Sequence, residues 1–235
     1  MIIQSIETIP YAIAYKKPLK FASGMVNVAD HVLVKVTTAD GVVGFADAPP
    51  RPYTYGETQE SIVAVIEKLF APGVVGLKLT DSARIREILN RTIGNDAAKG
   101  ALDIAIWDAL GKTLGLPVHE LLGGYTKALK VSHMLGFDDP GVVLDEALEM
   151  RETYGINAFK VKVGRSPIGL DLEICKVLRD GLGPEADIYV DANRGWTSTQ
   201  ALAALPILLD AGVSTLEEPC DAKDALGRRE IVKKV

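Results

Sequence analysis

The sequence predicts an α+β domain over residues 1–125, followed over residues 126–235 by an α/β domain, the first four βα units of a (β/α) barrel. Three observations carry that expectation. The opening residues are rich in β-branched and aromatic side chains, and amphipathic helical runs follow them. From Lys130 short apolar strands alternate with helices, and Val131, Phe159, Ile188 and Thr215 stand 28, 29 and 27 residues apart. So regular a repeat of one strand and one helix signals a parallel sheet. Three of these strands end in polar residues: Lys160 and Lys162, Asp191 and Asn193, Glu217 and Glu218. Barrel enzymes build their sites at that end of the strands. A complete barrel takes about 250 residues, whereas 106 follow residue 129. The expectation is therefore the N-terminal part of a longer enzyme, with half of its barrel.

Taken in order, residues 2–15 read as a strand and 31–48 as a hairpin. Val32, Val34 and Val36 alternate, and Asp40-Gly41 supplies the turn. Residues 16–30, KKPLKFASGMVNVAD, read as a polar loop between them. The prolines of PPRPYTYGET oppose regular structure at residues 49–58. Thr58 opens a helix carrying Ile62, Val65, Ile66 and Leu69, which Pro72-Gly73 is expected to end. Ser82 is expected to cap the next. Residues 97–115 form a third, with Ala101, Ala105 and Ala109 on a small-residue face suited to close packing.

Composition excludes several classes. Lys and Arg number 26 against 31 Asp and Glu, a net charge of −5, which argues against a general nucleic-acid binder. No apolar run approaches the ~18 residues of a membrane span, and the first residues lack the pattern of a secretory signal. Cys175 and Cys220 form no CxxC and no disulfide framework, so they read as thiols in a reducing cytoplasm. His31, His119 and His133 are too scattered for a zinc set, though His133 falls near the end of a barrel strand, where it would line a pocket, with packing or a supporting hydrogen bond as the plainer alternative.

The chemistry concentrates at three strand ends. Lys160 and Lys162, two residues apart on a strand, share a face, and mutual repulsion with partial burial lowers an amine toward acid/base work. Asp191 and Glu217, at the ends of the next two strands, suit a hard, oxygen-seeking cation. Each has a plainer alternative: two solvated lysines, a helix N-cap at Asp191, an ion pair from Glu217 to Lys162. Lys162 and Asp191 are 29 residues apart and Asp191 and Glu217 are 26 apart. Together these spacings place a proton carrier beside a metal.

The motifs KVK, DAN and LEEP, in this order and spacing, resemble the enolase superfamily in its muconate-lactonizing subgroup. The helix AAKGALDIAIWDALGKTLGLPVHELLGG is similar to that family's capping-domain signature, and the resemblance covers essentially the whole chain. It implies a capping domain with two mobile loops, near Lys20–Met25 and Pro49–Tyr55, and a barrel of enolase type. It implies Lys162 as acid/base, Lys160 as its neighbour setting its pKa and holding a substrate carboxylate, and Asp191 and Glu217 as ligands of Mg²⁺ or Mn²⁺. Asn193 becomes a polar neighbour of the metal. Lys20, Phe21, Met25, Arg51, Tyr53 and Tyr55 become substrate-facing loop residues, with Lys20 or Arg51 as counter-charge to a distal carboxylate. A lysine with Mg²⁺ is the arrangement general to this superfamily.

The physical need is clear. A proton lost next to a carboxylate leaves an enediolate with two negative oxygens, too unstable in water unless a dication neutralises it. The stretches PLKFASG, APPRPYTYGETQ and VSHMLGFDDP point within the subgroup to interconversion of cis,cis-muconate and muconolactone. Dipeptide epimerisation, N-acylamino acid racemisation and o-succinylbenzoate synthesis are the alternatives of the same chemistry. A non-catalytic fragment is the alternative of another class. The family's third carboxylate ligand and second lysine belong to a fifth and a sixth strand, beyond these four units. Asp47 stands where the family commonly has Glu. A homo-oligomer acting on a small carboxylate, with neither nucleic acid nor membrane as partner, completes the expectation.

Overall fold

The computed structural model describes residues 1–21 and 24–234, with the side chains at 17, 19–21 and 24 outside that description. The chain divides into two compact units, Met1–Leu19 with Val26–Lys127, and Ala128–Val235 with Lys20–Met25. Among the described residues no helix is long and apolar enough to cross a membrane.

The first unit is built on a three-stranded sheet in the order β1 (Ile3–Phe21), β2 (Gly24–Thr38), β3 (Val43–Ala48). β2 and β3 pair antiparallel with Val32 opposite Ala48, Val34 opposite Ala46 and Val36 opposite Gly44. Residues directly opposite share a face, so the alternating valines line one side, where all three are buried. The segment 16–30, expected as a loop, is instead mostly strand: β1 runs on to Phe21 and β2 starts at Gly24. Pro18 signalled a break, but β1 is an edge strand, where a missing N–H costs the ladder little.

Helices cover the valine face: α1 (Gln59–Val65), a π-helical turn (Ile66–Phe70), α2 (Ala71–Val74), α3 (Ser82–Leu89), α4 (Asp96–Leu114) and α5 (Val118–Leu121). Thr58 and Ser61 form a reciprocal capping box at α1. The helical run ends at Val74, one residue past the expected stop at Pro72-Gly73. Pro72 falls in the first turn of α2, where its absent N–H has no helical partner to lose. Nor does Ser82 cap α3; the N-cap is Asp81, whose side chain accepts the Lys78 N–H at 3.0 Å. α4 packs against β3 through Ala101, Ala105 and Ala109, all buried, so the small-residue face does bring helix and sheet close.

Glu57 is 2% exposed. Its carboxylate accepts the N–H groups of Ala97 at 2.7 Å and Ala98 at 3.2 Å, capping the positive end of α4. Glu57→Ala should leave those amides without partners and cost about 2–3 kcal/mol. Urea unfolding checks this, and a midpoint within error of the parent would refute it.

The second unit is a parallel sheet in the order β4 (His133–Leu135), β5 (Ala158–Lys162), β6 (Asp187–Asp191), β7 (Val213–Glu217). Each strand is followed by its helix: α6 (Pro140–Tyr154), α7 (Gly169–Leu182), α8 (Ser198–Asp210) and α9 (Ala225–Val232). Consecutive strands are neighbours throughout, the order of the first four units of a (β/α) barrel. Leu135, Phe159, Val161, Ile188 and Val190 join buried residues from all four helices in one core. The helices therefore pack on one face of the sheet and leave the alternate residues to the other.

Candidate active site

Register decides which side chains share that other face. Met134 lies opposite Lys160, Lys160 opposite Tyr189, and Lys162 opposite Asp191. The β6–β7 pair needs one adjustment: Ile188 faces Val213, but Val190 faces Leu216 and Asp191 faces Glu217. β7 thus carries one extra residue. Without this bulge Asp191 would face Leu216, and Glu217 would point to the helix side, because a one-residue slip inverts every side chain beyond it.

Four charged groups meet there. The Lys162 ammonium donates to Asp191 Oδ2 at 2.7 Å and to Asn193 Oδ1 at 2.7 Å. Lys160 Nζ stands 3.0 Å from the same Asp191 oxygen and donates to Glu217 Oε2 at 2.6 Å. Asp191 Oδ1 accepts the Asn193 backbone N–H at 2.9 Å. The Asp191 side chain is 2% exposed and that of Lys162 11%, whereas Glu217 reaches solvent. Lys160 also lies 5.9 Å from the ring centroid of Tyr189, whose hydroxyl is 2.8 Å from Ser132 Oγ.

Electrostatics follow from this interleaving. Burial works to raise the Asp191 carboxyl, but hydrogen bonds from Lys162, Lys160 and the Asn193 amide outweigh it and hold the pKa below the ordinary aspartate value. Burial likewise disfavours the charged Lys160 amine, yet the bonds to Glu217 and Asp191 prevail and raise it. Side by side on one strand the two lysines would repel one another, but Asp191 Oδ2 lies between their amines and Glu217 pairs with Lys160, so Lys160 is held as a cation. The ion pair of Glu217 is with Lys160, not with Lys162.

The donor set fits a hard divalent cation. Asp191 and Glu217 are register partners from adjacent strand ends, and the Lys160 ammonium already sits within 3.0 Å of both. Among the described residues no group of three or more His, Cys, Asp or Glu gathers for a metal.

Other expected residues fall elsewhere. His133 pairs in register with core-facing Phe159, and its Nε2 lies 2.7 Å from Glu146 of α6, so it turns to the helix side rather than to the lysines. The strand period set this, and the residue that shares the lysine face is Met134, 51% exposed. Met134, Tyr189 and Ser132 were missed; two-residue spacing from Asp191 would have found Tyr189, but the others need inter-strand register. Arg51, Tyr53 and Tyr55 belong to the first unit, where the Arg51 carbonyl accepts the N–H groups of Thr54, Tyr55 and Gly56. Both tyrosines are exposed, as is Met25. The side chains of Lys20 and Phe21 lie outside the described residues. Asp47 ties three strands: it accepts from Tyr11 Oη at 2.7 Å and lies 2.7 Å from His31 Nδ1. The hydrogen bond to Asp47 is the main cause that pushes the Tyr11 hydroxyl up to about 12.

Comparison with known proteins agrees with this architecture. Residues 5–123 match the mandelate racemase/muconate lactonizing enzyme N-terminal domain, and residues 142–235 match the enolase C-terminal domain-like family. A muconate lactonizing enzyme from Mycobacterium smegmatis, solved with muconolactone, is 53% identical over all of this chain and 64% of its own, with a TM-score of 0.96. A dipeptide epimerase from Enterococcus faecalis V583, solved with Mg and L-Leu-L-Tyr, is 30% identical over all of this chain and 66% of its own, with a TM-score of 0.91. Muconate cycloisomerase 1 of Rhodococcus opacus is 32% identical over 92% of this chain and 59% of its own length. The chain thus spans about three fifths to two thirds of the relatives it matches. With both family domains matched in the order that the fold and the lysine–carboxylate site require, the chain belongs to the mandelate racemase/muconate lactonizing enzyme family of the enolase superfamily.

Proposed function

We propose that this chain serves a muconate cycloisomerase, interconverting cis,cis-muconate and muconolactone. The observation that carries the reading is its 53% identity to a muconate lactonizing enzyme over the full 235 residues, against 30% to a dipeptide epimerase over the same span. In the lactonizing direction one substrate carboxylate oxygen forms a C–O bond across a double bond. Lys162 then delivers a proton to the carbon beside the other carboxylate, and takes it back in reverse. Asp191 and Asn193 hold the amine of Lys162 in place. Lys160, kept cationic by its carboxylate partners, attracts a substrate carboxylate. Asp191 and Glu217 are the residues that hold Mg²⁺ or Mn²⁺. When bound, such an ion supplies fixed positive charge against the negative charge that develops on a substrate carboxylate. The domains are proposed as a capping domain, residues 1–125, and a barrel portion, residues 126–235, and Lys20, Phe21, Met25, Arg51, Tyr53 and Tyr55 are proposed as substrate-binding residues. Cytoplasmic location and homo-oligomeric assembly complete the proposal.

The natively expressed protein should consume the conjugated diene of cis,cis-muconate when Mg²⁺ or Mn²⁺ is supplied, followed by its ultraviolet absorbance. No loss of absorbance under either metal would reject the assignment. Dipeptide epimerisation is the second reading, supported by a hydrophobic dipeptide epimerase of Enterococcus faecalis that is 31% identical to this chain, level with the 32% of the Rhodococcus cycloisomerase. Exchange of the α-proton of L-Leu-L-Tyr with deuterated solvent, without diene loss, would select it.

A further inference from the structure

Four non-glycine residues among those described have left-handed backbone, and three of them surround the site: Asn193 (φ 43°), Arg194 (φ 64°) and Glu218 (φ 42°). L-residues disfavour that region, and where it persists the surroundings hold it. Here the two strand-end turns hold one another. The Ala192 N–H donates to the Glu217 carbonyl at 3.1 Å, and the Arg194 N–H donates to the Glu218 carbonyl at 2.8 Å. Above these bonds the Arg194 guanidinium lies 3.6 Å from Glu218 Oε2. The turn after β5 closes the third side: a methyl on Gly195 would stand 2.5 Å from the Gly164 carbonyl oxygen, and one on Gly164 would stand 2.5 Å from that of Ala192.

The ion pair is more than a third exposed on both partners and is long, so it adds little to stability. Its position is informative instead. Arg194 directly follows Asn193, the acceptor for Lys162, and Glu218 directly follows Glu217, the partner of Lys160. We infer that Arg194 and Glu218 form a clamp between the β6 and β7 turns that positions Asn193 and Glu217. Both are positioning residues; neither touches the reacting groups. The inference rests on reading Asp191 and Glu217 as the cation's ligands.

The test is a double-mutant cycle in the natively expressed protein, read by calorimetric titration with Mg²⁺ alone. Arg194→Ala and Glu218→Ala should each weaken Mg²⁺ binding by about 10-fold, the scale for residues that orient ligands. The double variant should be no worse than either, because one clamp is lost once. The charge-exchanged pair, Arg194→Glu with Glu218→Arg, should recover most of the affinity. Asp191→Ala should abolish binding. In the metal-free protein Glu218→Ala should also speed hydrogen exchange at the Arg194 amide by about 2- to 5-fold, the scale of an exposed ion pair. Additive losses, or unchanged affinity while Asp191→Ala abolishes it, would overturn the clamp. Mg²⁺ binding that is absent from the parent, or unaltered by Asp191→Ala, would overturn the ligand reading. The clamp then stands if exchange at Arg194 accelerates and falls if it does not.

Discussion

Lys162→Ala is expected to lower the rate of muconate consumption by about 10²–10⁴-fold, the contribution of a positioned proton carrier, while leaving the protein folded. The structure separates the two effects. Asp191 keeps Lys160 at 3.0 Å and the Asn193 N–H at 2.9 Å when Lys162 is removed, so no buried carboxylate is stranded. Asn193 loses one donor at a half-buried amide, a modest cost. Steady-state kinetics should therefore show a collapse of kcat, with the unfolding midpoint within a few degrees of the parent. Lys160→Ala should behave differently, raising KM more than it lowers kcat, if its role is to hold a substrate carboxylate. A variant that turns over substrate normally without Lys162 would refute its role as the proton carrier, whereas a parent with no turnover, in which Lys162→Ala alters stability alone, is what a non-catalytic fragment requires.

Gly44→Ala should produce the largest loss of stability of any single methyl group in the first unit. Gly44 lies opposite Val36 on the face that receives α4. A Cβ there would overlap the Ala105 carbonyl oxygen and fall 2.5 Å from the Ala109 nitrogen and 2.8 Å from its Cβ. The oxygen and the nitrogen are backbone atoms in the middle of a 19-residue helix, which cannot give way singly. Relief requires α4 to lift from the sheet, and the expected cost is about 3 kcal/mol or more. That corresponds to a fall of roughly 6–12 °C in melting temperature. Gly100→Ala is the internal control: it lies in the same helix and its added methyl meets nothing within 4 Å. Helix propensity alone should make that variant neutral or stabilise it by up to about 1 kcal/mol. Equal melting temperatures for the two variants would refute the close-packing account.

The sequence by itself determined a good deal of this protein. The 27–29-residue repeat identified the parallel sheet, because a strand and its returning helix consume a nearly constant length. The polar strand ends marked the candidate site, because nothing in an apolar core accounts for Lys, Asp and Glu at three successive C-termini. The alternation Val32, Val34, Val36 gave away the buried face of the hairpin, since period two is a local property of the strand. The segment 16–30 misled, since its Lys, Pro and Gly carry loop signals while an edge position in the sheet tolerates them.

Tertiary structure decided the rest, and always for the same reason: contacts between strands depend on register, which a single chain segment does not contain. Whether His133 or Met134 shares the lysine face follows from pairing with β5. Whether Glu217 faces Asp191 hinges on one extra residue in β7. The amine of Lys160 is raised because carboxylates from two other strands reach it, which the spacing of the two lysines does not show. Repulsion between residues two apart is legible in sequence; the counter-charges that override it arrive from 31 and 57 residues away, and folding alone brings them in.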